Sequence, residues 1–312
     1  MIQTYLQPLP HAITLSCRAS GERGRPVLLF LHGFPEGAFV WDLLLDHFAK
    51  PEHGGYRCIA PNLRGFEKSS APADVKAYRP KHLVQDIAAL IAIETTQQSG
   101  QLAALVAHDW GGAVAWNRAN QMPQLARQLV ILNSPHPGTF LRDLKHSPKQ
   151  QAASAYMNFL IRPEAERLLA ADDYQLLWRF LVNTDPTAGG QSGALHASPA
   201  WLTEAVKAQY RSVWDAGLTG GCNLYRASPL RPPTGEDPSV ATLELPRDML
   251  TIRLPTLVVW GLQDAALLPE LTHGLDGYID RLTLKTVPGA SHWIVHENPD
   301  LVIRLMTEFL DA

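Results

Sequence analysis

The chain has 312 residues, 46% of them hydrophobic and 18% charged, a composition typical of a soluble globular protein with a large core. Its net charge of −3, without any Lys- or Arg-rich segment, argues against nucleic-acid binding, and its three scattered cysteines are too few for a disulfide framework or a zinc site. No apolar stretch approaches the about 20 residues of a membrane-spanning helix and no signal peptide is visible, so we expect a cytoplasmic protein.

The first part of the chain alternates strand-like and helix-like segments. The strand-like segments are short, apolar and rich in branched residues, as buried strands are. Strands that alternate with helices predict an α/β protein with a mostly parallel sheet flanked by helices. In chain order the predicted elements are a strand at Val27–Leu31, an amphipathic stretch through Trp41, Leu44 and Phe48, a strand at 56–61, a helix at 77–96, a strand at 102–107, a helix at 112–120 and a strand at 129–132.

From residue 135 to about residue 245 the pattern changes. Segments 152–159, 163–169, 174–182 and 199–214 have helical patterns without a convincing buried strand, and a Gly-, Ser- and Ala-rich piece at 187–198 predicts a mobile loop. Strands at 256–261 and 282–287 and a helix at Pro299–Leu310 then resume the alternation. These patterns predict a core domain, residues 1–134 and 248–312, interrupted by a helical cap domain, residues 135–247.

The most informative motif is Ala-His-Asp-Trp-Gly-Gly, residues 107–112, between a predicted strand and a predicted helix. Small residues two before and two after Asp109 allow the sharp strand-to-helix turn that exposes a nucleophile at its tip. A carboxylate at this position needs no base, because it is ionised at neutral pH. A helix N-cap is the simpler explanation of an Asp before a helix, but it does not require the small residues or the preceding strand.

A second motif, His-Gly-Phe-Pro-Glu at residues 32–36, follows the Val27–Leu31 strand. In a nucleophile turn of this kind, one oxyanion-hole N–H comes from the residue after the nucleophile and another from such a loop. We therefore expect the backbone amides of Trp110 and Phe34 to form the oxyanion hole. Without the Asp109 motif, an ordinary Gly-Pro turn would explain this loop equally well.

An acid and a base follow in the chain order that this chemistry requires. Asp264 comes just after the 256–261 strand, and His292 follows the 282–287 strand, so both are expected at the carboxyl edge of the sheet with Asp109. The chain has 12 histidines, so position and not residue type singles out His292. The nearby histidines, His108, His136 and His296, are interpreted as structural or solvated. Asn133 also follows a strand, but an amide cannot balance an imidazolium.

These motifs resemble those of the epoxide hydrolases of the α/β-hydrolase superfamily, which are related to the haloalkane and fluoroacetate dehalogenases. The resemblance covers essentially the whole chain and implies the α/β-hydrolase fold with an inserted helical cap, a covalent alkyl ester on Asp109, and hydrolysis by water that His292 and Asp264 activate. It implies no cofactor and no metal. We expect the substrate pocket to lie beside His32, Phe34, Pro35, Trp110 and Trp293.

Two cap tyrosines favour the epoxide hydrolases within this group. The surroundings of Tyr156 and, more closely, of Tyr225 resemble those of the tyrosines that hang over the nucleophile in that family. A phenol can donate a hydrogen bond and then a proton to the alkoxide of an opening epoxide, whereas a halide leaves without a proton. The alternative is that both side chains only pack the cap.

The expected function is hydrolysis of a small hydrophobic epoxide to a vicinal diol. A haloalkane-type dehalogenase with the same Asp-His-Asp triad is the main alternative. Fluoroacetate dehalogenases carry arginines where this chain has Trp110 and Ala113, and many haloalkane dehalogenases carry Asn where it has Phe34. An esterase or lactonase is disfavoured because attack by Asp109 would form an anhydride, and a binding protein would have lost a triad member. Whether the chain forms a homodimer stays open.

Overall fold

A computed structural model describes residues 1–97, 100–182 and 198–312. Eight strands form one sheet in the order β1-β2-β4-β3-β5-β6-β7-β8. Strands β3 to β8 are parallel to one another, whereas β2 is antiparallel to both of its neighbours, β1 and β4. The strands are β1 Gln3–Pro8, β2 Thr14–Ser20, β3 Val27–Leu31, β4 Arg57–Pro61, β5 Leu102–His108, β6 Ala126–Leu132, β7 Ile252–Gly261 and β8 Ile279–Val287.

Helices cover both faces of the sheet and connect its parallel strands. Every residue of β3 and β4 is buried, as expected for central strands with helices on both sides. None of the described helices is long and apolar enough to cross a bilayer. The helices are α1 Asp42–Phe48, α2 Pro80–Glu94, α3 Asp109–Gln121, α4 Pro137–His146, α5 Pro148–Ala153, α6 Tyr156–Leu160, α7 Ala165–Leu181, α8 Glu204–Asp215, α9 Thr219–Ala227, α10 Ile294–Glu297 and α11 Pro299–Leu310.

The long connection between β6 and β7 contains α4 to α9, and no strand is found among its described residues. We call residues 135–247 the cap segment; its treatment as a separate domain stays a prediction. The predicted mobile loop at 187–198 lies outside the described residues except for its last position. In α7 the backbone is not helical at residues 171–174, so the two helices predicted there are joined by a kink.

Several predicted elements differ from the structure in physically informative ways. Strands β1 and β2 were not predicted; β1 lies at the antiparallel edge of the sheet and is mostly exposed, and β2, although mostly buried, contains Ser, Cys and Arg instead of a continuous apolar run. The helix predicted at 152–159 is two short helices, α5 and α6. The helix predicted from residue 199 begins only at Glu204, where the Thr203 hydroxyl caps it by accepting from the Val206 amide.

Candidate active site

The turn between β5 and α3 presents Asp109 at the carboxyl edge of the sheet. Asp109 adopts a positive φ of 48°, which is strained for a residue with a side chain and fits a sharp strand-to-helix turn. A Cβ atom on Gly111 would lie 2.3 Å from the Leu31 carbonyl oxygen, so only glycine fits there. The strained backbone at Asp109 and the close packing of Gly111 against β3 together place the Asp109 carboxylate at this edge of the sheet.

Two backbone amides donate hydrogen bonds to this carboxylate. The Phe34 N–H donates to Asp109 Oδ1 over 2.7 Å, and the amide of Trp110 is a second donor to the carboxylate. Burial raises the pKa of Asp109, while His292, His108 and these two amides oppose that rise. The structure thus brings together the two amides that were predicted as an oxyanion hole.

His292 joins Asp109 to Asp264. Its Nδ1 lies 2.7 Å from Asp264 Oδ2, and its Nε2 faces Asp109 Oδ2 at 3.8 Å. Burial alone would lower the pKa of His292, but the two carboxylates outweigh it and raise that pKa to about 9. With the carboxylates ionised, the resting site holds His292 as an imidazolium at neutral pH.

Asp264 is itself held by neighbours that sequence reasoning did not identify. The Asn133 side-chain amide donates to Asp264 Oδ2 over 2.8 Å, and the backbone amides of Ala266 and Leu267 donate to Oδ1. Burial would raise the pKa of Asp264, but His292 and these donors keep it below its ordinary value. Asn133 therefore supports the acid of the triad instead of replacing it.

A second buried pair of hydrogen-bonded side chains, His108 and Glu36, lies directly behind the triad. His108 Nδ1 is 3.0 Å from Glu36 Oε2, and His108 Nε2 is 2.9 Å from the carbonyl oxygen of His292. Burial would raise the pKa of Glu36, but hydrogen bonds from His108 and His296 hold it well below its usual range. Both neighbours of the His108 ring, the Glu36 carboxylate and the His292 carbonyl oxygen, are hydrogen-bond acceptors. Sequence reasoning gave Glu36 no role, and nothing in the local pattern distinguishes it from a loop residue.

A cavity of about 360 Å³ opens over Asp109. Tyr156 and Tyr225 both line it, with ring centroids 6.1 Å apart, and the Tyr225 ring packs edge-on against Trp110 at 5.0 Å. Burial and the negative charge of Asp109 raise the pKa of both tyrosines, so both are protonated phenols at neutral pH. Among the described residues that line it, which are mostly apolar, Asp109 and Lys81 are the only charged ones.

Only Trp110 of the five predicted pocket residues lies among the residues that line this cavity. His32 is fully buried with both ring nitrogens hydrogen-bonded to the backbone, at Gly33 and Leu63. Trp293 is buried beside His292, at 4.8 Å between ring centroids. Phe34 and Pro35 line a separate, much smaller cavity under the cap segment. No cluster that could hold a metal ion is found in the described part of the chain.

Comparisons with known proteins agree with this architecture. The model of the α/β hydrolase fold family matches residues 26–299. The chain is 33% identical to the AB hydrolase superfamily protein YfhM of Bacillus subtilis, over 96% of this chain and 95% of that protein. It is 31% identical to epoxide hydrolase 3 of Xenopus tropicalis, over 98% of this chain and 77% of that protein.

The chain belongs to the epoxide hydrolase family of the α/β-hydrolase superfamily. Among solved structures, an epoxide hydrolase of Bacillus megaterium with a bound inhibitor matches with a TM-score of 0.83 and 27% identity, covering 99% of this chain and all of that one. An epoxide hydrolase from hot-environment metagenomes matches with a TM-score of 0.82 and 34% identity, covering 99% of each chain. The predicted family and α/β-hydrolase fold are thereby confirmed.

The charge state of His292 in this family member can be measured without substrate. We expect its imidazole to titrate near pH 9 in an NMR titration. This pKa should fall in the single variant Asp109→Asn and fall more in the single variant Asp264→Asn, because Asp264 contributes more than Asp109 to the raised pKa. Since the folded pKa exceeds the unfolded value of 6.5, His292 should stabilise the fold fully below pH 6.5 and lose that contribution as pH rises through 9. Titration near 6.5 in the wild type, or an unchanged pKa in both variants, would contradict this electrostatic account.

Proposed function

We propose that this hydrolase opens apolar epoxides to vicinal diols through a covalent alkyl ester on Asp109, with His292 and Asp264 completing a catalytic triad. The observation that carries the proposal is a single apolar cavity lined by a carboxylate nucleophile and two protonated tyrosines. The relatives named as epoxide hydrolases support it.

In the first step Asp109 attacks a ring carbon of the epoxide. Oδ1 accepts the Phe34 N–H, and Oδ2, which faces His292, forms the new C–O bond. The ring C–O bond breaks as this bond forms, and Tyr156 or Tyr225 donates a proton to the leaving oxygen. A phenol with a raised pKa still holds its proton before the step, which is what a general acid requires.

In the second step water hydrolyses the ester. Ester formation removes the negative charge of Asp109, which is one of the causes of the raised pKa of His292. The pKa of His292 therefore falls, and its proton returns to the tyrosine phenolate that the first step left. The neutral imidazole can then take a proton from water as that water attacks the ester carbonyl carbon. The amides of Phe34 and Trp110 stabilise the oxyanion, whose collapse releases the diol and restores the carboxylate. The proton that His292 takes from water restores the imidazolium, and the second proton of that water leaves on the diol.

The shape of the cavity indicates which epoxides fit. One face of α3 lines the cavity, with the side chains of Trp110, Ala113, Asn117 and Gln121. From Trp110 to Gln121 this face extends about 16 Å along the helix axis. Ala113 is the smallest of these side chains and leaves open the space next to Asp109. We propose that an epoxide with one extended apolar substituent binds with that substituent along this face.

Filling this space should shorten the accepted substrate. Ala113→Phe is expected to lower kcat/KM for 1,2-epoxydodecane about 10- to 100-fold, because the new ring occupies the path of the alkyl chain. Activity on 1,2-epoxybutane, which does not reach that far, serves as the internal control and should change by less than about twofold. Equal losses on both epoxides, or none on the longer one, would show that the substituent lies elsewhere.

The tyrosines distinguish epoxide opening from dehalogenation. The Tyr156→Phe, Tyr225→Phe double variant keeps both rings but loses both proton donors, so epoxide alkylation should slow about 10²- to 10⁴-fold. Thermal unfolding should change little, because the rings still pack. If the double variant forms diol at the rate of the unmodified enzyme, the tyrosines do not support the epoxide assignment. Release of halide from 1-chlorobutane by the unmodified enzyme, with epoxides left intact, would also contradict that assignment.

A further inference from the structure

Helix α8 of the cap segment hydrogen-bonds the loop at residues 33–36 at two points. Trp214 Nε1 donates to the Pro35 carbonyl oxygen over 2.7 Å, and the Tyr210 hydroxyl donates to Glu36 Oε1 over 3.0 Å. The two side chains are four residues apart and so project from the same helix face. Tyr210 is 0% exposed and Trp214 is 2% exposed, so water cannot replace either bond.

The loop that α8 contacts is the one that carries the Phe34 amide. It is tight, since the Glu36 N–H donates back to the Gly33 carbonyl oxygen. Gly33 also packs directly on the nucleophile: a Cβ atom there would lie 2.1 Å from Asp109 Oδ1. A shift of Pro35 or Glu36 therefore moves the Phe34 N–H relative to Asp109.

Glu36 extends this connection from the cap segment to the triad. Besides Tyr210, its carboxylate contacts His108 and His296, and His108 contacts the carbonyl oxygen of His292. His296 Nε2 also lies 2.9 Å from the Tyr210 hydroxyl oxygen. Glu36 is 1% exposed, so loss of a donor leaves a buried charge with fewer hydrogen bonds.

We propose that Tyr210 and Trp214 are positioning residues: from the cap segment they hold the oxyanion-hole amide of Phe34 in place at Asp109. The proposal rests on the proposed function for its catalytic consequence. Negative charge on the oxygen that Phe34 contacts increases most when water attacks the ester. Hydrolysis of the ester should therefore depend on this contact more strongly than its formation.

The test uses Tyr210→Phe and Trp214→Phe in the full-length protein, with styrene oxide as substrate. In single turnover each variant should slow ester hydrolysis about 10- to 100-fold and slow alkylation less. A covalent adduct on Asp109 should therefore accumulate, and intact-mass spectrometry would detect it. The matched control is Tyr174→Phe, which removes a cap hydroxyl that contacts Asp215 at the end of the same helix but not the loop. The control should hydrolyse the ester at the wild-type rate.

Hydrogen exchange at the Phe34 amide provides a readout that needs no substrate. Tyr210→Phe should accelerate exchange at Phe34 at least about 10-fold while the amides of β5 and β6 keep wild-type protection, which a general loss of stability would not do. Faster exchange at Phe34 combined with a wild type that opens no epoxide would support the positioning contact and reject the proposed function. If Tyr210→Phe keeps the wild-type rates of Phe34 amide exchange and of ester hydrolysis, the positioning role is overturned. Tyr210→Phe alone decides the question if Trp214→Phe does not fold.

Discussion

An ionised carboxylate at the base of an apolar cavity is the constraint on which the rest of this site depends. Burial favours the neutral acid, which cannot attack carbon, so the fold must stabilise the charge of Asp109. The strained turn, the two amides and the imidazolium of His292 all serve this end. Because His292 owes part of its raised pKa to Asp109, alkylation of Asp109 converts it from a counter-ion into a base.

The same requirement extends one layer outward. Asp264 accepts from Asn133 and two backbone amides, and His108 contacts Glu36, which accepts from one donor of the cap segment, the Tyr210 hydroxyl. Hydrogen-bonded side chains thus continue from the cavity into the core, and a change in one changes its neighbour. Buried networks of this kind are stable only when every member is satisfied. This explains why cap helix α8 and the catalytic loop are joined by hydrogen bonds and not only by apolar packing.

The sequence was sufficient for the groups whose position follows from local pattern. Asp109, Asp264 and His292 each follow a strand, and the carboxyl ends of parallel strands meet at one edge, so their proximity was predictable. Glu36 and Tyr210 were not, because neither follows a predicted strand and their partners are between 72 and 260 residues away along the chain. The position of Asn133 after a strand was predictable, but its role as a donor to Asp264 was not. For His32 and Trp293 a pocket role stays a prediction that rests on proximity to a motif; both are buried, and neither is among the residues that line the cavity over Asp109.

The covalent ester on Asp109 is the central claim, and isotope transfer tests it most directly. A single turnover of an epoxide by excess enzyme in H₂¹⁸O should give a diol whose new oxygen is unlabelled, because that oxygen comes from the Asp109 carboxylate. Mass spectrometry of the peptide that contains Asp109 should then show one ¹⁸O, which water supplied when it attacked the ester carbonyl carbon. A first-turnover diol that carries ¹⁸O, with an unlabelled peptide, would mean that water attacks the epoxide directly and would contradict the account.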